Sequence, residues 1–180
     1  MIADQSVLDY TAIERILPHR YPFLLVDRII DFEIDKRITG IKNVSLNEPH
    51  LSHTPGEPPV LPPAILTETM AQVGAILILA KPENHQKLIY FMGIERVRYR
   101  GLVHPGDILT VDVAVKRLRS RMGMLRGKAL VDGRLGREAK IACSSGDVGV
   151  GLLDVPSLNR LELDLGLVTE RAFKDRDEPH

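Results

Sequence analysis

The chain has 180 residues, of which 44% are hydrophobic and 27% are charged, so we expect one globular domain with at most an appendage. Its 24 basic side chains balance its 24 acidic ones, which argues against a strongly basic nucleic-acid-binding protein. The single cysteine excludes an internal disulfide and a cysteine-rich zinc site, and it predicts a reducing, cytoplasmic location. Residues 1–10 lack a basic residue, so we expect no signal peptide.

The first half of the chain predicts one short helix, two strands and a loop. Residues 6–17 have the pattern of an amphipathic helix, which Pro18 would end. Residues 23–32 and 37–46 are rich in branched apolar side chains and predict strands. Residues 47–63 hold half of the twelve prolines and predict a loop.

The next segment, residues 64–80, predicts the central helix of the fold. It is apolar on almost every side, which is typical of a helix buried in a protein core. It is short for a bilayer span and contains Glu68 and Gln72, so we expect no membrane span. Glu68 is the only charged residue between Pro58 and Ala80.

The second half of the chain predicts a sheet. Strand-like segments follow a polar loop at residues 81–87, and they cover residues 88–100, 108–118, 124–131 and 137–144. Together with the first two strands they predict an α+β fold, in which about six antiparallel strands wrap around one long buried helix. The pattern changes after residue 150, so we divide the chain into a domain, 1–150, and a C-terminal extension, 151–180, that is partly disordered.

Two titratable side chains flank the start of the central helix. A carboxylate in so apolar a helix must find a partner or keep its proton, which makes Glu68 a candidate acid. His53 lies in the proline-rich loop upstream and is a candidate base. The alternatives remain a surface histidine and a glutamate in a structural hydrogen-bond network. Gln72 lies one helical turn after Glu68 and can contact it, either to orient the carboxyl group or to satisfy a buried polar atom.

Several blocks of the chain resemble one enzyme family. They are LPHRYPFLLVDR at residues 17–28, KNVSLNEP at 42–49, FMGIE at 91–95 with PGD at 105–107, and ALVDG at 129–133. Glu68 precedes Met70-Ala71-Gln72, as in the same family. In this order, over residues 16–143, the blocks resemble the FabZ-type 3-hydroxyacyl-[acyl-carrier-protein] dehydratases.

The resemblance implies a hot-dog fold and a homodimer as the minimal unit, which in the family often assembles into a hexamer, a trimer of dimers. It also implies dehydration of a 3-hydroxyacyl thioester on an acyl carrier protein to the trans-2-enoyl thioester, with His53 as base and Glu68 as acid. In the family these two groups come from different subunits. The substrate would be carried on phosphopantetheine, and no other cofactor is implied.

The remaining site assignments follow the same resemblance. Ala64 would offer its backbone amide to the thioester oxygen, and Gln72, Pro55 and Gly56 would also contact the substrate. No pair of histidines has the spacing of metal ligands on one helix face, so we expect no metal site.

The chain departs from the family pattern at two positions. The spacing from Asn47 to His53 is one residue shorter than in the family, so an ungapped register puts Thr54 at the histidine position. We assign His53, because the His-x-Pro-Gly-x-Pro unit is retained. Pro63 stands where the family has glycine and removes one N–H from the helix start. These departures leave open a catalytically impaired acyl-binding or scaffold subunit. A hot-dog acyl thioesterase is the other alternative, against which the His-x-Pro-Gly unit argues.

Three further features have structural and functional interpretations. Arg96, Arg98 and Arg100 alternate on a predicted strand, and a second basic set follows a later strand at Lys116, Arg117, Arg119 and Arg121. These basic residues are either a solvated sheet edge or a docking patch for an acidic carrier protein. His19 lies in the first family block, and we give it a packing or loop role. Cys143 ends an apolar strand and is expected in the core rather than as a nucleophile.

Overall fold

The computed structural model describes residues 8–85, 87–119, 122–132, 140–144 and 148–154. The helices are α1, Tyr10–Ile16, and α2, Pro63–Leu79, and a short 3-10 helix covers Pro82–Asn84. The strands are β1, Arg28–Glu33; β2, Arg37–Asn43; β3, Lys87–Ile94; β4, Arg98–Tyr99; β5, Ile108–Leu118; β6, Met122–Asp132; β7, Lys140–Ser144; and β8, Val148–Asp154.

Helix α2 is the centre of the hydrophobic core. Pro62 is its N-cap and Pro63 its first residue, where the missing N–H of proline costs no helical hydrogen bond. Eleven of its 17 residues are buried, among them Val73 and Ile76 with no exposed surface. The predicted buried helix is confirmed, one residue earlier than expected at each end. No helix in the described part of the chain is long and apolar enough to cross a membrane.

The strands form one antiparallel sheet that packs against α2. Six strands follow the order β1-β2-β5-β6-β7-β4, and β8 joins β6 to β3 beside this path. Alternate residues of β5, namely Leu109, Val111 and Val113, are buried, as the sequence pattern predicts. The predicted α+β hot-dog architecture is confirmed.

Helix α2 lies close to the sheet because two glycines leave room at their contact. A Cβ placed at Gly40 of β2 would lie 2.6 Å from the Val73 side chain, and one at Gly74 of α2 would lie 2.8 Å from Leu125. Since Val73 and Leu125 are themselves buried, neither can move aside freely. These two glycines therefore set the depth at which α2, and the site on it, sits against the sheet.

The structure differs from the sequence predictions in the edge strands. The predicted strand 88–100 is divided into β3 and β4, because Arg96 between them has φ 53° and interrupts the extended backbone. Arg96 and Arg98 therefore do not alternate on one continuous strand. Strand β8 runs to Asp154, four residues past the expected end of the domain, while residues 155–180, including the predicted disordered part, lie outside the described residues.

The predicted strand at residues 23–32 starts later than expected. Strand β1 begins only at Arg28, since the preceding segment is folded into turns in which the Arg20 carbonyl accepts hydrogen bonds from Phe23 N and Leu24 N. These turns bring the first motif block against α2.

Candidate active site

A pocket of about 440 Å³, including its open mouth, lies beside the middle of α2. Most of its lining is apolar, as is usual for small-molecule sites. The lining residues are His19, Glu68, Ala71, Gln72, Ala75, Ile89, Tyr90, Phe91 and Val150. Glu68 and His19 are the titratable groups of this pocket apart from the phenol of Tyr90.

Glu68 and Gln72 form the side-chain contact that their spacing predicts. Gln72 Nε2 donates a hydrogen bond to Glu68 Oε1 over 2.9 Å, one helical turn away. Gln72 is 1% exposed, and its amide also donates to the Phe23 carbonyl and accepts from Leu25 N. Gln72 therefore serves both roles left open by the sequence, because it satisfies buried backbone groups and holds the carboxyl group.

His19 lies in the pocket, although its motif indicated only a packing or loop role. Its Nε2 lies 3.7 Å from Glu68 Oε1, and its Nδ1 is buried with no hydrogen-bond partner among the described residues. Burial lowers the pKa of His19 below its ordinary value, Glu68 opposes this shift, and Arg20 adds to it. His19 also keeps the predicted packing role, because its ring lies near the Phe23 ring, with 6.2 Å between the centroids.

The first motif block owes its compact shape to local hydrogen bonds. The Arg20 guanidinium donates to the carbonyl groups of Leu17 and His19 and holds the chain in a tight turn. Phe23 then packs edge-on against His50, whose Nε2 lies 3.0 Å from the Pro22 carbonyl oxygen. Because Gln72 binds the same block, the turn places His19 beside Glu68. The motif was visible in the sequence, but nothing in the 49-residue separation indicated this contact.

The loop with the predicted base is a closed hairpin. Ser52 and Val60 exchange two backbone hydrogen bonds, of 2.9 and 3.1 Å, at its base. A turn at its tip has a hydrogen bond from Glu57 N to Thr54 O, and Gly56 has φ 83°, which only glycine adopts without strain. These hydrogen bonds and the prolines limit the conformations open to the loop.

The structure does not join His53 to Glu68 within one chain. His53 is exposed and has no hydrogen-bond or ion-pair partner in the described ranges. Thr54, Pro55 and Gly56 beside it are exposed as well. A site that uses His53 together with Glu68 would therefore need a second chain, as the family resemblance implies.

Ala64 lies in the first turn of α2 and is exposed. The N-cap Pro62 provides no side-chain hydrogen bond to the helix start, so the amide of Ala64 keeps its donor available. The positive end of the helix dipole adds to the attraction for a developing negative charge.

A second, apolar pocket of about 320 Å³ shares Ala71 and Phe91 with the first. Met70, Leu125 and Val148 are among its other lining residues, so its walls are apolar. Its neighbour Thr67 shares a hydrogen bond of 2.6 Å with the Tyr99 hydroxyl. Among the described residues, no group of three or more histidine, cysteine or carboxylate side chains is arranged to hold a metal ion.

The family model of the FabA-like domain matches residues 17–140. This chain belongs to the FabA-like domain family. The FabA-like segment begins at the motif block that holds His19, and it contains every residue of the Glu68 pocket except Val150.

Curated relatives support the same family. A protein of Pelotomaculum thermopropionicum named 3-hydroxyacyl-[acyl-carrier-protein] dehydratase FabZ is 47% identical over 136 residues, which are 75% of this chain and 96% of the relative. One with the same name from Desulforamulus reducens is 47% identical over 141 residues, 78% of this chain and 99% of the relative. The resemblance to FabZ-type proteins is thereby confirmed.

Solved structures confirm the FabA-like chain's fold. The dehydratase heterocomplex ApeI:P from Xenorhabdus doucetiae has a TM-score of 0.68 at 19% identity, and the match covers 83% of this chain and 95% of that one. A thioesterase-superfamily protein from Thermus thermophilus has a TM-score of 0.59 at 12% identity, covering 76% and 94%. At these identities the likeness concerns the fold alone.

Proposed function

We propose that this FabA-like protein removes water from a 3-hydroxyacyl thioester on an acyl carrier protein and forms the trans-2-enoyl thioester. The observation that carries the proposal is the carboxyl group of Glu68, held by Gln72 in a largely apolar pocket. The names of relatives 47% identical over three quarters of the chain support the same reaction.

The reaction needs a base, an acid and a donor for the thioester oxygen. His53 takes the proton from C2, and the electrons of that bond move towards the thioester carbonyl, whose oxygen gains charge near the amide of Ala64. The enolate electrons then form the C2=C3 double bond as the C3–O bond breaks, Glu68 protonates the departing hydroxyl, and water leaves. Each proton-transfer group contributes a rate factor of about 10²–10⁴, and a positioned amide contributes about 10²–10³.

The proposed active unit is a homodimer, in which His53 of one subunit serves Glu68 of the other. The exposed position of His53 and its separation from Glu68 within one chain support this arrangement. Strand β3 also exposes Tyr90, Phe91 and Met92 to 42–51%, an apolar surface of the kind that subunits cover. A hexamer built from three such dimers is the larger assembly that the family implies.

The substrate is proposed to bind with its two ends in different surroundings. The hydroxyl and thioester carbons lie beside Glu68, with Gln72, Pro55 and Gly56 as further contacts, and the aliphatic tail lies along the apolar side chains beyond Ala71. Arg98 and Arg100 are exposed, and in this proposal they bind the acidic carrier protein that delivers the phosphopantetheine arm. The reaction consists of proton transfers and cleavage of one C–O bond, so we propose no cofactor of the protein's own. The proposed location of the protein is the cytoplasm.

Carrier docking has its own test. Reversing the charge of Arg98 and of Arg119 should lower activity on a carrier-linked thioester but not on a short free thioester. Equal losses on both substrates would contradict docking at these residues.

The decisive experiment combines product analysis with subunit mixing. Wild-type protein should convert a 3-hydroxyacyl carrier thioester into the enoyl thioester, whereas release of a free thiol would identify a thioesterase. His53→Ala and Glu68→Gln should each lower kcat by about 10²–10⁴. After the two variants are unfolded together and refolded, half of the dimers hold one intact site, so about a quarter of wild-type activity should return.

The mixing experiment has a matched control at the neighbouring position. Thr54→Ala should keep most of the activity if His53 is the base. Loss of activity in Thr54→Ala with an unaffected His53→Ala would contradict the assignment, and it would favour the ungapped register or a catalytically impaired subunit.

A further inference from the structure

We propose that His19 is a positioning residue that acts with Gln72 to keep the acidic proton of Glu68 on Oε2. This inference rests on the proposed dehydration and adds a residue to it. Both polar groups nearest the carboxyl group converge on the same oxygen, Oε1, with Gln72 Nε2 at 2.9 Å and His19 Nε2 at 3.7 Å. Oε2 has no partner among the described residues and is therefore the oxygen left for the substrate.

The direction of the Gln72 amide is determined by its other contacts. Its Oε1 accepts the hydrogen bond of Leu25 N, so the atom beside Glu68 is Nε2, which can only donate. At 2.9 Å this N–H binds the carbonyl oxygen of a protonated carboxyl group better than its hydroxyl oxygen, so Glu68 Oε1 is the carbonyl oxygen. When Glu68 is protonated, its hydrogen is therefore favoured on Oε2.

The surroundings of His19 determine which of its ring nitrogens carries the hydrogen. An imidazolium donates from both nitrogens, but Nδ1 is buried without an acceptor in the described part of the chain. The Nδ1–H tautomer would bury the same unpaired donor. The remaining form carries its hydrogen on Nε2 and directs it towards Glu68 Oε1. Burial, which lowers the pKa of His19, acts in the same direction, and the charged groups that act on it are Glu68 and Arg20.

The distance decides how strongly His19 acts. At 3.7 Å the N–H of His19 is too far for a hydrogen bond, so it acts on Oε1 as a nearby dipole. When Glu68 gives its proton to the departing hydroxyl, the carboxylate that remains has the Gln72 hydrogen bond and the His19 dipole at Oε1. The dipole therefore stabilises the group more after proton transfer than before it, which should raise kcat rather than lower KM.

Two variants separate positioning from packing and from proton transfer. His19→Gln replaces the ring by a neutral amide donor that reaches a similar position, and His19→Phe keeps a ring without a donor. We expect His19→Phe to lower kcat about tenfold with little change in KM, and His19→Gln to keep most of kcat. Full kcat in His19→Phe would overturn the proposal in favour of packing. Equal losses in both variants would overturn it in favour of proton transfer by the ring.

A measurement without turnover tests the tautomer directly. Nitrogen-15 NMR of the histidine ring in the wild-type protein should show the hydrogen of His19 on Nε2, and a hydrogen on Nδ1 would overturn the inference. Failure of the two proposals can be told apart. If the wild-type protein forms no enoyl product, the proposed dehydration is wrong and the catalytic role of His19 fails with it. If product forms but the variants or the tautomer differ from expectation, only the role of His19 is wrong.

Discussion

The aromatic ring of Tyr90 lies directly against Gly151, its partner in the antiparallel register of β3 and β8. A Cβ placed at Gly151 would overlap the ring and the hydroxyl of Tyr90. Because Tyr90 also lines the Glu68 pocket, the absence of a side chain at Gly151 determines where one wall of that pocket lies. A residue of β8 thus acts on the site through the neighbouring strand β3.

Replacing Gly151 by alanine should push the Tyr90 ring away from β8 and change the pocket wall. We expect a loss of stability of about 1–3 kcal/mol, as for other overpacked positions. We also expect a lower kcat/KM, because the Tyr90 ring forms a wall of the Glu68 pocket. The matched control is Gly149→Ala, whose Cβ would make ordinary contact at 3.5 Å with Met92. The same kcat/KM in both variants would show that Gly151 does not shape the pocket.

Lys42 and Glu48 form a buried ion pair that explains part of the second motif block. The Nζ–Oε2 distance is 2.6 Å, and the two side chains are only 6% and 8% exposed. Lys42→Met should lower the free energy of unfolding by about 3–5 kcal/mol, since it leaves the Glu48 carboxylate buried without a partner. Urea unfolding measures this loss. The double variant Lys42→Met/Glu48→Leu should recover much of it.

The control for this ion pair is an exposed one. Lys36→Met removes a salt bridge to Glu33 in which the lysine is 71% exposed, so stability should hardly change. Equal effects of the Lys42 and Lys36 substitutions would contradict the role assigned to burial.

Cys143 should be inert in the folded protein. Burial raises the pKa of its thiol to about 11, and the side chain has no exposed surface. Since the thiolate is the reactive form, a thiol reagent at neutral pH should label Cys143 only as the protein unfolds. The measurement is the extent of labelling across a urea series, compared with the unfolding curve. Rapid labelling without urea would contradict the core placement, which the structure otherwise confirms.

His19 should make stability depend on pH. Its pKa is lowered in the folded state, chiefly by burial, so the unfolded chain binds the proton more readily. The stability that the neutral ring contributes is present above its unfolded pKa of about 6.5 and is lost as the pH falls towards the folded value. Wild-type protein should therefore lose more unfolding free energy than His19→Gln between about pH 8 and about pH 5. Parallel losses in the two proteins would contradict this prediction.

The layers of the fold could be predicted because their signals are local. The alternation of apolar residues in β5 and the apolar run of α2 follow from the geometry of a strand and a helix. The contact of Glu68 with Gln72 depends only on one helical turn, so its spacing was sufficient. The division of the predicted strand into β3 and β4 could not be predicted from the sequence. It depends on the positive φ of Arg96, which the residue type does not indicate.

By itself the sequence determined the buried helix, the antiparallel sheet around it, the family and the Glu68 carboxyl group on the helix. Each of these follows from local periodicity or from contiguous motifs. Only the tertiary structure decided that His19 lies beside Glu68, that β8 completes the sheet, and that His53 stands apart from Glu68 within one chain. Such contacts join residues far apart in sequence. They arise from the packing of the helix on the sheet, which no local pattern encodes.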